Sequence, residues 1–315
     1  MADVVTLGES LCLMRSASAD SLELTADLRL SVGGAESNVA IGLSRLGASV
    51  EWIGRVGDDE LGRRIVRELR AEGVTARAII DPGAPTALML KERRVIGPSR
   101  VRYYRAGSAG SRIAPGDVPL PSIAAASMLH VTGITPSLSP TADAAIDAAV
   151  GEAVAQGVPV SFDVNHRATL PRHRDAGEIY RSIATRSSLV FAGEDEARLL
   201  APNATDRDSL LHAIAALGPR EIVLKLGSEG AVALVDGSRY SLPAVPVPVV
   251  DTVGAGDAFV AGYLAERVRG LSPEERLVTA TRCGAYACTV AGDWEGAPRR
   301  IDLASLELSG EDVLR

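Results

Sequence analysis

Short apolar runs and stretches of helical periodicity follow one another along the chain. Residues 4–7 form an apolar run ending at Gly8-Glu9 and read as a buried strand. Residues 11–32 alternate loosely and carry many polar side chains, which predicts exposed strands rather than core. A helix is expected after Gly33-Gly34, running through Leu43 and Leu46 to a stop at Gly47. Trp52-Ile53-Gly54 reads as a strand, and 61–71 as an amphipathic helix with Gly73 at its end. Exposed-strand character returns over 86–113, in Ala87-Leu88-Met89-Leu90 and Val101-Arg102-Tyr103-Tyr104-Arg105. From residue 129 to 292 strands and helices alternate. Strands are predicted over 128–131, 158–163, 189–191 and 221–226, helices over 141–156, 175–185 and 209–217, and a hairpin over 231–242. A β-like run punctuated by prolines, 242–250, leads into a helix over 258–268, and small residues over 281–290 read as a last helix.

Alternation of this kind argues for a mostly parallel sheet with helices on both faces. Right-handed crossovers then bring the functional loops to the carboxyl ends of the strands. No Gly/Ser/Pro-rich or charged block divides the 315 residues and no repeat is visible, so one domain over 1–315 is expected, carrying a lid made of segments 11–32 and 86–113.

Composition narrows the function classes. Apolar residues at 46% support a sizeable core, whereas 3% aromatics and a net charge of −7 disfavour base-stacking platforms and a nucleic-acid footprint. The amino terminus shows no cationic leader and no uncharged apolar run is long enough to span a bilayer, so a cytoplasmic protein without a membrane partner is expected. Cys12, Cys283 and Cys288 lack CxxC spacing and read as buried thiols. His130, His166, His173 and His212 lack metal-ligand spacing. There is no GxxxxGK[ST] motif, no GxGxxG after the first strand and no sequence case for a Ser-His-Asp or Cys-His centre.

The informative stretch is Asp251-Thr252-Val253-Gly254-Ala255-Gly256-Asp257-Ala258-Phe259. Glycines at a helix start expose backbone N–H groups, which together with the helix dipole favour an anion such as phosphate. Asp257 sits at the mouth of that site, where a carboxylate is repelled by phosphate unless it takes up a proton. A GxGD alone would equally make an ordinary helix start with an acidic cap. The full nine residues resemble the signature of the PfkB/ribokinase family of sugar kinases. Gly33-Gly34-Ala35-Glu36-Ser37-Asn38 with Gly54-Arg55-Val56-Gly57-Asp58-Asp59 resembles its amino-terminal signature.

That resemblance covers the chain from Gly8 to Pro298 and implies a ribokinase-like three-layer α/β/α fold with a small β-sheet lid, often the dimer contact. It implies catalysis by Asp257, with Gly254, Ala255 and Gly256 forming the anion hole, and Gly34 and Asn38 as sugar contacts. Lys225, Gly227, Gly230, Gly254, Gly256 and Thr281 would lie near ATP. Within the family the chain is most similar to members acting on the sugar acid 2-keto-3-deoxygluconate. By that likeness Tyr103, Tyr104, Arg105, Arg167 and Asp293 would contact the substrate. A guanidinium suits a carboxylate because it can hold it with two parallel bonds, although Tyr103-Tyr104-Arg105 could also be an ordinary hairpin. Asp163, Asn165 and Arg167 fall on alternate positions, hence on one side of an extended chain. The resemblance gives Asp163 and Glu196 to the neighbourhood of Mg²⁺, but Gly193 stands where the family has Asn, which weakens the metal site. The expected partners are ATP, a small sugar acid and a second copy of the chain through the lid. A kinase for 2-ketogluconate or for a neutral sugar such as fructose or ribose is the nearer alternative. A sensor that kept the fold and lost turnover is the farther one, and it would be expected to alter Asp257 or the glycine run.

Overall fold

The computed structural model describes residues 1–16, 22–23, 25–92, 100–170 and 173–306. The chain begins with β1 (Val4–Leu7), β2 (Leu11–Ser16), β3 (Leu28–Gly33), α1 (Ala35–Arg45), β4 (Val50–Gly57), α2 (Glu60–Ala71) and β5 (Thr75–Asp81). It continues through β6 (Leu88–Glu92), β7 (Arg100–Tyr104), α3 (Leu120–Ala124), β8 (Met128–Thr132), α4 (Pro140–Ala155), β9 (Val160–Asp163), α5 (Ala176–Ala184) and β10 (Leu189–Gly193). The remainder is α6 (Glu194–Leu200), α7 (Arg207–Ala215), β11 (Glu221–Lys225), β12 (Ala231–Val235), β13 (Ser238–Leu242), α8 (Ala255–Val268), α9 (Pro273–Ala287) and α10 (Arg300–Ser305).

Nine strands of the described residues form one sheet in the order β13-β12-β11-β10-β9-β8-β1-β4-β5, parallel from β11 to β5 and closed at the other edge by the antiparallel β12–β13 hairpin. The inner parallel strands are buried because both faces are covered, whereas β5 at the edge is half exposed. Val5 and Leu7 join one apolar core with α4, α5 and α7, while Val4 joins the other with α1, α8 and α9. Strand order reverses at β1, flanked by β8 and β4, and this is where a crevice opens beyond the strands' carboxyl ends. The expected three-layer α/β/α architecture is the observed one.

Helix starts obey local chemistry. Asp59 accepts the Gly62 N–H at 2.7 Å to cap α2, and Ser139 accepts that of Ala142 at 3.1 Å with Pro140 in the first turn of α4.

A second sheet of four strands, ordered β3-β2-β6-β7, corresponds to the expected lid; parts of its segments, 17–21, 24 and 93–99, lie outside the described residues. Strand β2 is largely buried, not exposed as the sequence suggested. Leu11, Cys12 and Leu13 are buried, Leu11 and Leu13 packing with Ala87 and Met89 toward the cleft while the other face meets α2. The β-like reading of 242–250 also fails beyond Leu242. Pro243, Pro246 and Pro248 remove ladder donors, and the segment runs irregularly with Val249 and Val250 exposed. Helix α8 starts three residues before the expected position. Gly254 supplies a left-handed cap (φ 77°, ψ −10°), which puts Ala255, Gly256 and Asp257 in the first turn.

Candidate active site

One cleft of about 490 Å³ lies between the lid and the carboxyl ends of the parallel strands. Its floor takes Glu9 after β1, Ile134 after β8, Asn165 and Arg167 after β9, Gly193 and Glu196 at β10, and Lys225 at the end of β11. The volume suits a small polar molecule.

Asp257 is at the centre. Its Oδ2 accepts from Asn38 Nδ2 at 2.8 Å and its Oδ1 from Asn165 Nδ2 at 3.3 Å, so residues from α1 and from beyond β9 fix both oxygens. Burial raises its pKa, with Asn38, Arg167 and Lys225 pulling the other way. A buried carboxylate with a raised pKa, held in one orientation, has the properties of a general base. Asp293 lies beside it, and burial together with the Asp257 charge pushes its carboxyl up to about 7.

The expected anion hole is sharpened by the early start of α8. Ala255 N–H donates to the Thr252 carbonyl at 3.3 Å, so the N–H groups of Gly256 and Asp257 form the open end of the first turn. The Lys225 ammonium lies 3.8 Å from where a Cβ on Gly256 would stand, bringing a positive charge to the same opening. A Cβ on Gly254 would overlap the Asp293 carbonyl, so that position tolerates only glycine. Gly34 (φ 138°) is equally constrained, a Cβ there meeting the Glu9 carbonyl at 2.5 Å.

Gly34, Asn38, Tyr103, Arg105, Arg167, Asp293, Lys225, Gly254 and Gly256 all line the cleft. Tyr104 does not. Strand alternation turns Tyr103 inward opposite Met89 and leaves Tyr104 59% exposed on the outer face, so it makes no cleft contact. Thr281 does not line this cleft either: it is buried in α9 with its hydroxyl returned to the carbonyls of Leu277 and Val278 at 3.0 Å. Gly227 and Gly230 are not among the lining residues. Gly230 (φ 105°) is where the backbone passes close to the Leu242 carbonyl, while a Cβ on Gly227 (φ 57°) would meet open space. Asp163, Asn165 and Arg167 do not share one side. β9 ends at Asp163, and Asn165 turns into the left-handed region (φ 39°), so Asn165 and Arg167 face the cleft while both Asp163 oxygens hold Lys225 Nζ at 2.7 and 2.8 Å. Burial raises the Asp163 pKa above its ordinary range, against the pull of Lys225.

Two partners were not apparent in the sequence. Glu9, with no side-chain exposure, accepts Arg105 Nε at 2.8 Å and contacts its terminal nitrogen too. Arg105, expected as a fork for a substrate anion, thus already carries a carboxylate. Lys91, on the lid, is in contact with Asp251. The sequence signals were faint: a carboxylate directly after a buried strand, and one lysine in an apolar lid strand.

The metal assignment rests on carboxylate oxygens, which suit a hard cation. Glu196 accepts the N–H of His166 at 2.8 Å and of Gly193 at 2.7 Å, and Asp163 is engaged by Lys225. No group of three or more His, Cys, Asp or Glu among the described residues is arranged to hold a metal ion. These residues therefore fit Mg²⁺ only in company with phosphate and water oxygens.

Residues 1–300 match the family model of the pfkB family carbohydrate kinases. The 2-dehydro-3-deoxygluconokinase of Bacillus subtilis strain 168 is 34% identical over 307 residues, covering 96% of this chain and 94% of its own length. A fructokinase of Klebsiella pneumoniae is 33% identical over 288 residues, covering 86% and 90%. The solved structure of a PfkB protein from Polaromonas sp. JS666 superposes with a TM-score of 0.88 at 32% identity, over 97% of this chain and 100% of that one. The chain belongs to the pfkB family of carbohydrate kinases, and it is a phosphotransferase with an alcohol acceptor.

Proposed function

We propose that this pfkB-family kinase transfers the γ-phosphoryl group of ATP to the C6 hydroxyl of 2-keto-3-deoxygluconate, also called 2-dehydro-3-deoxygluconate. The observation that carries the reading is the convergence on one point of a buried, doubly anchored Asp257 and the open amino end of α8. The likeness to the Bacillus subtilis kinase supports the choice of sugar, as do two guanidinium groups, Arg105 and Arg167, in the same cleft. The sugar enters under the lid, between Tyr103 and Gly34. Asn38 keeps its Oδ1 buried without a protein partner, an acceptor for a sugar hydroxyl.

Asp257 takes the proton of the attacking hydroxyl, its orientation held by Asn38 and Asn165. The N–H groups of Gly256 and Asp257 receive the phosphoryl oxygens, and Lys225 neutralises part of their charge. Each preorganised donor of this kind is worth about 3 kcal/mol by comparison with other oxyanion sites. Gly227 and Gly230 shape the loop beside the nucleotide. Glu196 and Asp163 are the residues that would hold Mg²⁺ through water, which when bound shields the charge on the phosphates. Arg167 and the remaining terminal nitrogen of Arg105, Nη1, would meet the sugar carboxylate. A second copy would pack on the outer face of the lid.

The reading is tested by ADP release with Mg-ATP and a panel of 2-keto-3-deoxygluconate, 2-ketogluconate, fructose and ribose. Preference for the first acid is expected, with Asp257→Asn lowering kcat at least ~10³-fold while calorimetry still detects sugar binding. Preference for fructose or ribose would keep the kinase and discard the acid. Full turnover in D257N would remove Asp257 as the base.

A further inference from the structure

The lid is fastened to the anion hole rather than merely laid over it. Alternation along β6 turns Met89 and Lys91 to the cleft, opposite Tyr103 and Val101 of β7, and all four line it. Lys91 is only 4% exposed, and a lysine so buried requires a partner. Its ammonium contacts Asp251 Oδ2, across 160 residues of sequence. The same carboxylate accepts the Val253 N–H on Oδ1 at 3.3 Å and the Gly292 N–H on Oδ2 at 3.4 Å. One side chain thus joins the lid, the residue preceding the Gly254 cap and the turn that packs against that cap.

Two further lid strands grip the same turn. Arg15 of β2, in register with Lys91, donates to the Ala291 carbonyl at 3.1 Å. Ser31 of β3 donates to Glu295 Oε1 at 2.7 Å, and Glu295 Oε2 accepts the Asp293 N–H at 2.8 Å. Behind Gly254 stands the Asp293 carbonyl, so close that a Cβ would overlap it. The lid's polar contacts therefore end on the segments that flank and back the cap of α8.

We propose that Lys91 is a positioning residue: through Asp251 it sets the loop before α8 in the shape that receives the transferred phosphoryl group, and it makes that shape depend on the lid. The proposal rests on the reading of the α8 amino end as the phosphoryl site. Lys91 serves the reaction from the sugar side of the cleft without itself being catalytic, because its charge is committed to Asp251.

The test compares wild type with K91M, K91R, D251N and the K91M/D251N double variant, using whichever sugar the wild type turns over best. The expected result is a kcat lowered about 10- to 100-fold in K91M and D251N, sugar KM within about threefold, kcat of K91R restored to within about threefold of wild type, and a double variant no worse than either single one. Sugar KM rising at unchanged kcat would make Lys91 a sugar contact and overturn the proposal, as would multiplicative losses in the double variant. Should K91M fail to melt cooperatively, low kcat in D251N with near-normal kcat in K91R supports the proposal equally, and equal kcat in both refutes it. Calorimetry with a non-hydrolysable ATP analogue and with ADP separates this proposal from the functional one. If no sugar is turned over, the functional reading has failed, while about tenfold weaker binding of the analogue but not of ADP by D251N still supports the strap. Unchanged analogue binding in that case overturns it.

Discussion

Burial raises the pKa of Asp163, Asp257 and Asp293 around the cleft, and Glu36 is the clearest case outside the reacting centre. It is fully buried beneath Gly8, its Oε1 accepts the hydroxyls of Thr132 and Thr135 at 2.8 Å, and its Oε2 has no partner. Burial lifts its pKa from 4.5 to about 7. The folded state thus holds the Glu36 proton more tightly than the unfolded chain does. Between pH 4.5 and about 7 only the unfolded chain releases it, so stability falls as pH rises through that window and levels off above it. Glu36→Gln cannot ionise. Relative to that variant, the wild type is expected to lose on the order of 3 kcal/mol between pH 4.5 and 7.5, measured by urea unfolding; parallel pH profiles would refute this. At this scale the sequence revealed Asp257, Asn38 and Arg167, whose signal lies in a local motif or a strand end. It concealed Glu9 and Lys91, because what makes them matter is a partner 96 or 160 residues away.

At the scale of elements, the amino end of α8 carries the most consequence for the least sequence. Gly254→Ala forces a Cβ into the Asp293 carbonyl at a residue with φ 77°. It is expected to cost about 1–3 kcal/mol of stability and to lower kcat by more than tenfold, with sugar KM changed less. Thermal melting and steady-state kinetics check this, and an alanine variant with native kcat would show that the cap does not shape the phosphoryl site. Elements with strong periodicity or clean caps, such as β1, α2 and α4, were legible to within a residue or two. The strand β5 at the sheet edge was not, because its exposed side chains blur the apolar run that marked its neighbours. The prolines of 243–248 are plain in the sequence, and the ladder donors they remove end the strand despite the apolar valines between them.

For the whole molecule, alternation of strands and helices pointed to a parallel sheet, and the family resemblance made it an open three-layer sheet rather than a closed barrel. The order of strands and the seat of the lid depend on long-range pairing that alternation does not encode. The lid's outer face presents Leu28 at 43% and Tyr104 at 59% exposure, apolar surface that a second copy would cover. Tyr104→Lys with Leu28→Lys is expected to convert a dimer to a monomer in sedimentation; a monomeric wild type would remove the lid as a contact. Charge has a consequence at the same scale. Among the described residues that line the cleft, the cations Lys91, Arg105 and Lys225 are each held by a carboxylate of the chain itself, on a molecule whose net charge is −7. An acidic sugar is therefore not drawn in by a long-range field and must instead win hydrogen bonds by exchange once it arrives. Its capture should be slow by electrostatic standards and indifferent to salt: kcat/KM for the acid is expected to hold level or rise between about 50 and about 300 mM KCl, where an electropositive funnel would make it fall steeply.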